Sequence, residues 1–385
     1  MKKIIAFILV ILTLSFVGCG GKEKLTIKDN ETPLSVKQLK LSAYDPEYTF
    51  VNSFDGRYVC FNVTRPVKDE VPNGVSLETS HIIVYDTETE RVEKQFDLNL
   101  SHCFVSDSVY KDGLLYYVVS GRENEYEILY STDGEMVNKL HSILYNELDE
   151  LCIDVEKDQD GDIVFVSKHQ KPAENETGKQ EILQLGCINS EKREIMFTYT
   201  SAGDTSEIFG LNAHKLKNID EHSPAYMQVG QAHGGALVQQ QKAFNPDSNV
   251  NGVGLMAEIP MNTIEFVYVV GNNVYYYDYT ERNSLFGPMN LSVYNMESNS
   301  QVELAEYETM KKGRSWYGND LFAYQNVDGG RIYVMNQNET VLTRSYIENK
   351  FFDKKINVLT ANGKVLIVAG MFITQPDELY IVSVE

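Results

Sequence analysis

An all-β fold built from about seven four-stranded antiparallel sheets is what the sequence predicts, with six or eight also compatible. Three observations predict it. Cys103 to Leu140 breaks into four short apolar or alternating runs at Asp112-Gly113, at the polar stretch Gly121 to Glu125, and at Asp133-Gly134. Asp-Gly favours two-residue hairpins because Gly accepts positive φ, and the flanking β-branched and aromatic residues favour strands. The same four-run pattern recurs along the chain, and Tyr85 and Tyr130 occupy matching third strands 45 residues apart. A lone four-stranded unit cannot bury both faces, so repeats at this period must stack, which is the arrangement of a β-propeller.

The elements follow in order. Lys2 and Lys3 precede an apolar run from Ile4 to Leu14, and Ser15-Phe16-Val17-Gly18 leads into Cys19. A basic start, a short apolar stretch and a small residue before the cleavage point define residues 1–18 as a secretory signal, too short to be a permanent span. Residues 19–33 are expected to form a flexible tether and 34–385 a single propeller domain. Within that domain, Leu34 to Leu41 alternates in polarity and is expected to join the last repeat and close a ring.

The first repeat, Tyr48 to Leu100, turns at Asp55-Gly56, and the second is the unit from Cys103. A third, Leu151 to Thr200, turns at Asp160-Gly161. Ser201 to Met261 is irregular and rich in turn residues, whereas Ile264 to Glu303, Leu321 to Ser345 and Ile356 to Val384 return to the pattern. Long loops on rigid scaffolds are where binding concentrates, which singles out Ser201 to Met261; a degenerate blade with long surface loops is the other reading.

With 55 acidic and 34 basic residues the chain carries a net charge of −21. Loss of the two signal lysines makes this −23. Such a surface repels nucleic acid and anionic head groups, so no nucleic-acid partner is expected, and membrane contact must run through an N-terminal lipid. Four cysteines remain after Cys19, each within an apolar run and none at zinc spacing. Cys103 and Cys152 stand at matching places in consecutive repeats, so a disulfide between them is one expectation and buried thiols the other.

Site candidates are few. Glu156-Lys157-Asp158-Gln159-Asp160-Gly161-Asp162-Ile163 places oxygen ligands at alternate positions before a sharp Gly turn. This resembles the start of a D-x-D-x-D-G calcium loop, with Glu156, Asp158, Asp160 and Asp162 as ligands. Glu156 replaces the usual Asp and Ser167 the usual bidentate Glu; an acidic hairpin turn is the alternative. His214, His222 and His233 share the irregular segment, and a propeller's central mouth would be the place for them to meet. Trp316 and Tyr317 offer aromatic faces for sugar stacking. In Tyr275-Tyr276-Tyr277, alternation should put one side in the core and leave the other partly wet. No G-x-S-x-G and no glycine-rich phosphate loop is present, and no catalytic residue is singled out.

The Cys19 segment resembles a bacterial lipobox, with Phe16 in place of the usual Leu. Together with the repeated four-strand units it resembles the β-propeller lipoproteins of bacteria, the TolB-like and WD-like group. That resemblance implies an acylated Cys19, a cell-envelope location, periplasmic or surface-exposed, and a non-catalytic binding or scaffolding role toward a protein or glycan partner. The competing expectation is a carbohydrate-active or metal-assisted enzyme with its site over the central channel.

Overall fold

The computed structural model describes residues 24–40, 49–68, 75–98, 103–121, 127–143, 152–157, 161–172, 179–189, 192–200, 224–232, 235–242, 253–260, 264–270, 273–279, 289–295, 298–307, 315–317, 321–326, 328–336, 341–351, 354–370 and 376–384. Every regular element among them is a strand, and the strands form seven sheets. The chain is a β-propeller.

Two strands precede the first full blade: β1 (Thr26–Asp29) and β2 (Lys37–Leu39). Blade 1 is β3 (Thr49–Phe54), β4 (Tyr58–Lys68), β5 (Val75–Asp86) and β6 (Arg91–Asp97). Blade 2 is β7 (Cys103–Lys111), β8 (Leu114–Gly121), β9 (Glu127–Thr132) and β10 (Val137–Ile143), and blade 3 is β11 (Cys152–Lys157), β12 (Ile163–Pro172), β13 (Lys179–Asn189) and β14 (Lys192–Thr200). The irregular segment contributes a three-stranded sheet, β15 (Pro224–Ala232), β16 (Gly235–Lys242) and β17 (Val253–Pro260). Blade 5 is β18 (Ile264–Val270), β19 (Asn273–Tyr279), β20 (Met289–Asn295) and β21 (Ser300–Tyr307).

Blade 6 begins earlier than the repeat pattern indicates. Its innermost strand is the three-residue β22 (Ser315–Tyr317), followed by β23 (Leu321–Gln325), β24 (Arg331–Asn336) and β25 (Val341–Glu348). Blade 7 is β26 (Lys355–Ala361), β27 (Lys364–Gly370) and β28 (Glu378–Ser383), completed on its outer edge by β2 from the other end of the chain. This is the ring closure expected of Leu34 to Leu41. Residues 26–29, which fall within the expected tether 19–33, form β1, which lies parallel against β25 as a fifth strand of blade 6.

The turns follow residue chemistry. Asp112 and Gly113 have φ of 50° and 86°, and Asn362 and Gly363 have 49° and 67°, the double positive φ of a type I′ hairpin. Gly56, at φ 96°, is required for a second reason. A Cβ there would lie 2.9 Å from the Cβ of Asn362 and 3.0 Å from the carbonyl oxygen of Ala361, because the first hairpins of blades 7 and 1 touch.

Apolar clusters fill the gaps between blades. Val59, Phe61, Ile83 and Tyr85 of blade 1 pack on Leu366 and Val368 of blade 7, and Cys60, Ile82, Val84 and Phe96 pack from the other face on Val105, Tyr110 and Tyr117 of blade 2. The tyrosine run differs from its expected split: Tyr275 and Tyr276 are both fully buried. Both faces of blade 5 are covered, and Tyr275 stacks on Phe322 of blade 6 at 4.1 Å between centroids. Such a pair is worth about 0.5–1.5 kcal/mol beyond area burial.

Candidate functional site

The innermost strands β3, β7 and β11 bring polar side chains to the seams between blades 1, 2 and 3. Bulges decide where those side chains point. In β7 the pairing shifts between Val105 and Asp107, leaving Ser106 as the extra residue. Val105 therefore packs toward blade 1, whereas Val109, two residues beyond Asp107, packs toward blade 3. The shift in β3 falls between Val51 and Ser53, and that in β18 between Phe266 and Tyr268.

Asp107, re-aimed in this way, reaches blade 3. Its Oδ2 accepts from the backbone N–H of Val155 and its Oδ1 from that of Ser108, both at 2.8 Å. Burial pushes its carboxyl up to about 7, with Asp154 and Glu156 of β11 adding repulsion and the two N–H donors opposing it. Glu127 of β9 makes a second cross-blade bond, its Oε2 accepting from Ile153 N–H at 2.6 Å while Oε1 accepts from the Ser120 hydroxyl at 2.9 Å. Burial raises its carboxyl as well, and raises that of Asp154 with help from Glu156. Asp154 keeps an exposed edge, so its desolvation comes from surrounding protein rather than from complete enclosure.

Between blades 1 and 2 the same work is done by neutral groups. Asn62 Nδ2 donates to the Val105 carbonyl at 2.8 Å, and the Val105 N–H donates to Thr79 Oγ1 at 2.8 Å.

At the first-hairpin ends of these strands, Lys157 reaches from blade 3 to Asp55 of blade 1 at 2.8 Å. The other oxygen of Asp55 accepts from Arg57 and Tyr58 N–H at 2.9 and 2.6 Å, and its carbonyl accepts from Asn362 Nδ2 at 2.7 Å. Lys111 of blade 2 pairs with Asp162 of blade 3 at 3.2 Å. Blades 7, 1, 2 and 3 are thus linked around one mouth of the ring by side chains.

This assigns part of the acidic loop. Glu156 is half-buried next to the end of β11, Lys157 ends the strand and is engaged with Asp55, and Asp162 is engaged with Lys111, while Asp158 and Asp160 lie outside the described residues. Among the described residues no group of three or more His, Cys, Asp or Glu side chains is placed to hold a metal ion. His214, His222, His233 and Cys19 also lie outside the described residues. Trp316 sits in β22 and packs, half-buried, against the cluster between blades 6 and 7; Tyr317 follows it, paired in register with Phe322. Asp107, Glu127 and Asp154 were not singled out in the sequence. The one local signal was Ser-Asp-Ser inside an otherwise apolar innermost strand.

No protein-family model and no curated protein sequence matches the chain. Among solved structures it is similar to an oligogalacturonate lyase in complex with manganese (TM-score 0.47, 11% identity, covering 94% of this chain and 99% of that one). It is also similar to the Dos1 propeller (0.43, 11%, 91% and 94%) and to BamB from Moraxella catarrhalis (0.35, 10%, 91% and 99%). These likenesses concern the fold alone.

Proposed function

We propose that the protein is an exported, lipid-anchored propeller that displays a rigid ring to a protein or glycan partner at the cell envelope, without catalysing a reaction on it. The observation that carries this reading is the stitching of blades 7, 1, 2 and 3: Asp107, Glu127, Asp55, Lys157, Lys111 and Asp162 each spend a charged group on a neighbouring or next-but-one blade. Groups engaged in this way fix geometry and make the ring a rigid platform.

The path of β1 supports an orientation. First and third strands of a blade run the same way, so first-to-second and third-to-fourth turns share a face. β1 starts opposite Val341, the first residue of β25, and Leu25 N–H donates to Ser300 Oγ at 2.8 Å, where β21 begins. Both points adjoin third-to-fourth turns. Five residues separate Cys19 from Leu25, six steps of chain with a reach of about 20 Å when extended. An acylated Cys19 would hold the hairpin face toward the membrane. The opposite face, where β14 ends at Thr200 and segment 201–223 begins, is left for the partner.

Metabolic labelling with an alkyne palmitate analogue tests the anchor. The native chain is expected to take up label and sediment with membranes, and Cys19→Ala to lose both; label retained by that variant would refute the anchor. The partner is tested by proximity labelling from residue 201 and, for comparison, from Asp133 in the hairpin face. Specific protein or glycan adducts are expected only from the former, and equal labelling at both sites would refute the orientation.

A further inference from the structure

β1 fixes the point at which the N-terminal segment leaves the ring. Leu25, just before it, is buried in the cluster between blades 5 and 6. Asp29 meets Arg344 of β25 in a fork: Nε donates to Oδ1 at 2.5 Å and Nη2 to Oδ2 at 3.0 Å. The chain before Leu25 therefore departs from the hairpin face, where third-to-fourth turns lie.

Among the described residues five large apolar side chains are exposed: Val36, Val92, Met136, Val137 and Val341. Each stands at the start of a fourth strand. Val36 precedes β2 of blade 7, Val92 is the second residue of β6 in blade 1, Met136 and Val137 open β10 of blade 2, and Val341 opens β25 of blade 6. A fourth strand begins where the third-to-fourth turn ends, so all five lie on the hairpin face, at the outer rim of blades 6, 7, 1 and 2, which are neighbours in the ring. Single exposed apolar side chains are ordinary on a protein surface, but confinement of all of them to one face is not. The arc stops at blade 5, whose fourth strand opens with Ser300 and Gln301.

Charges along the arc are paired. Lys37, beside Val36, meets Glu90 of blade 1 at 2.7 Å, Lys364 of blade 7 meets Glu88 at 3.2 Å, and Arg57 meets Asp86 at 2.7 Å. Lys94, two residues beyond Val92, donates from Nζ to the Gly113 and Asp133 carbonyls of blade 2 at 3.3 and 2.5 Å. Pairing lowers the cost of bringing such a rim to an apolar boundary.

We propose that this rim is a membrane-contact surface, on which Val36, Val92, Met136, Val137 and Val341 enter the head-group boundary of the bilayer and the ring leans on blades 6, 7, 1 and 2. The proposal rests on the anchored reading given above. A bilayer is the occupant the observations favour, because five positions spread along an arc fit a planar, fluid surface that asks for no complementary shape. The segment leading to Cys19 also leaves from this face, with about 20 Å of reach. The net charge of −21 selects zwitterionic over anionic head groups.

The test reads tryptophan emission from the native acylated chain in phosphatidylcholine vesicles whose acyl chains are plain or brominated, with the parent chain, which has Trp316 alone, as baseline. Emission added by Val92→Trp and by Met136→Trp should fall about two-fold or more in brominated vesicles, as bromine in the acyl layer quenches residues at the boundary. Emission added by Asp377→Trp, an exposed position before the third strand of blade 7 and so on the opposite face, should not change. The same variants are then measured with Cys19→Ala and a histidine tag in place of residues 1–18, held on nickel-chelating lipid. A chain that stays off plain vesicles without the tag, yet is quenched at 92 and 136 when held by it, refutes the acyl anchor and supports the rim. Absence of quenching at 92 and 136 in the tag-held chain overturns the proposal, and so does equal quenching at 377. A blue shift of the Met136→Trp emission with rising protein concentration and no vesicles assigns the rim to a second copy and overturns it too.

Discussion

Asp107 shows how one side chain can serve a seam and carry a titration. Its carboxyl is pushed from the ordinary 3.8 up to about 7 by burial. The folded chain therefore holds more protons than the unfolded chain between those values, and stability contributed by this group is present at acid pH and falls as pH rises through about 7. Urea midpoints for the native chain should decline from pH 5 to pH 8. Asp107→Asn should flatten that slope while costing about 1–3 kcal/mol at pH 5, because an amide leaves one of the two N–H donors without an acceptor. An unchanged slope would show that Glu127 or Asp154 carries the titration. At Gly56 the expectation is steric. Gly56→Ala combines a φ of 96° with a Cβ placed 2.9 Å from that of Asn362, and should lower stability by about 1–3 kcal/mol in thermal unfolding.

Among elements, the bulges and the two N-terminal strands matter most. The bulge in β7 is a single residue, and with Ser106 extra Asp107 pairs with Val118 on the blade 3 side of the strand. Asp107→Ala removes the acceptor of the Val155 N–H, and hydrogen exchange at Val155 should accelerate by at least ten-fold relative to that at Val365 in blade 7. Leu39 in β2 is 3% exposed and packs in the cluster between blades 7 and 1. Leu39→Asp should open the ring at its closure, with a loss of about 3 kcal/mol or more and new cleavage near β2 in limited proteolysis. The equivalent insult at Val137, an exposed residue at the start of β10, should be nearly silent.

For the whole molecule, the net charge of −21 is the dominant long-range term. Self-repulsion among so many carboxylates weakens the compact state, and salt screens it with a Debye length of about 10 Å at 0.1 M. The melting temperature at pH 8 should rise by several degrees from 10 mM to 300 mM NaCl. A fall would show that the ion pairs at the ring mouth, Lys157–Asp55 and Lys111–Asp162, outweigh the general repulsion.

The sequence by itself determined the strand content, most hairpins, the repeat and the closing strand, because hydrophobic alternation and Asp-Gly or Asn-Gly turns act over a few residues. It also marked the acidic loop at Glu156 to Asp162 and the irregular segment at Ser201 to Met261 as departures from the repeat. Tertiary structure alone decided what joins the blades. β22 is three residues long and carries no periodicity, so Trp316 read as an aromatic face for sugar stacking rather than an innermost-strand residue. A bulge is a difference in register between two strands, invisible in either one, and it decided that Asp107 faces blade 3. Arg344 and Asp29 are 315 residues apart, and only closure of the ring brings that fork together.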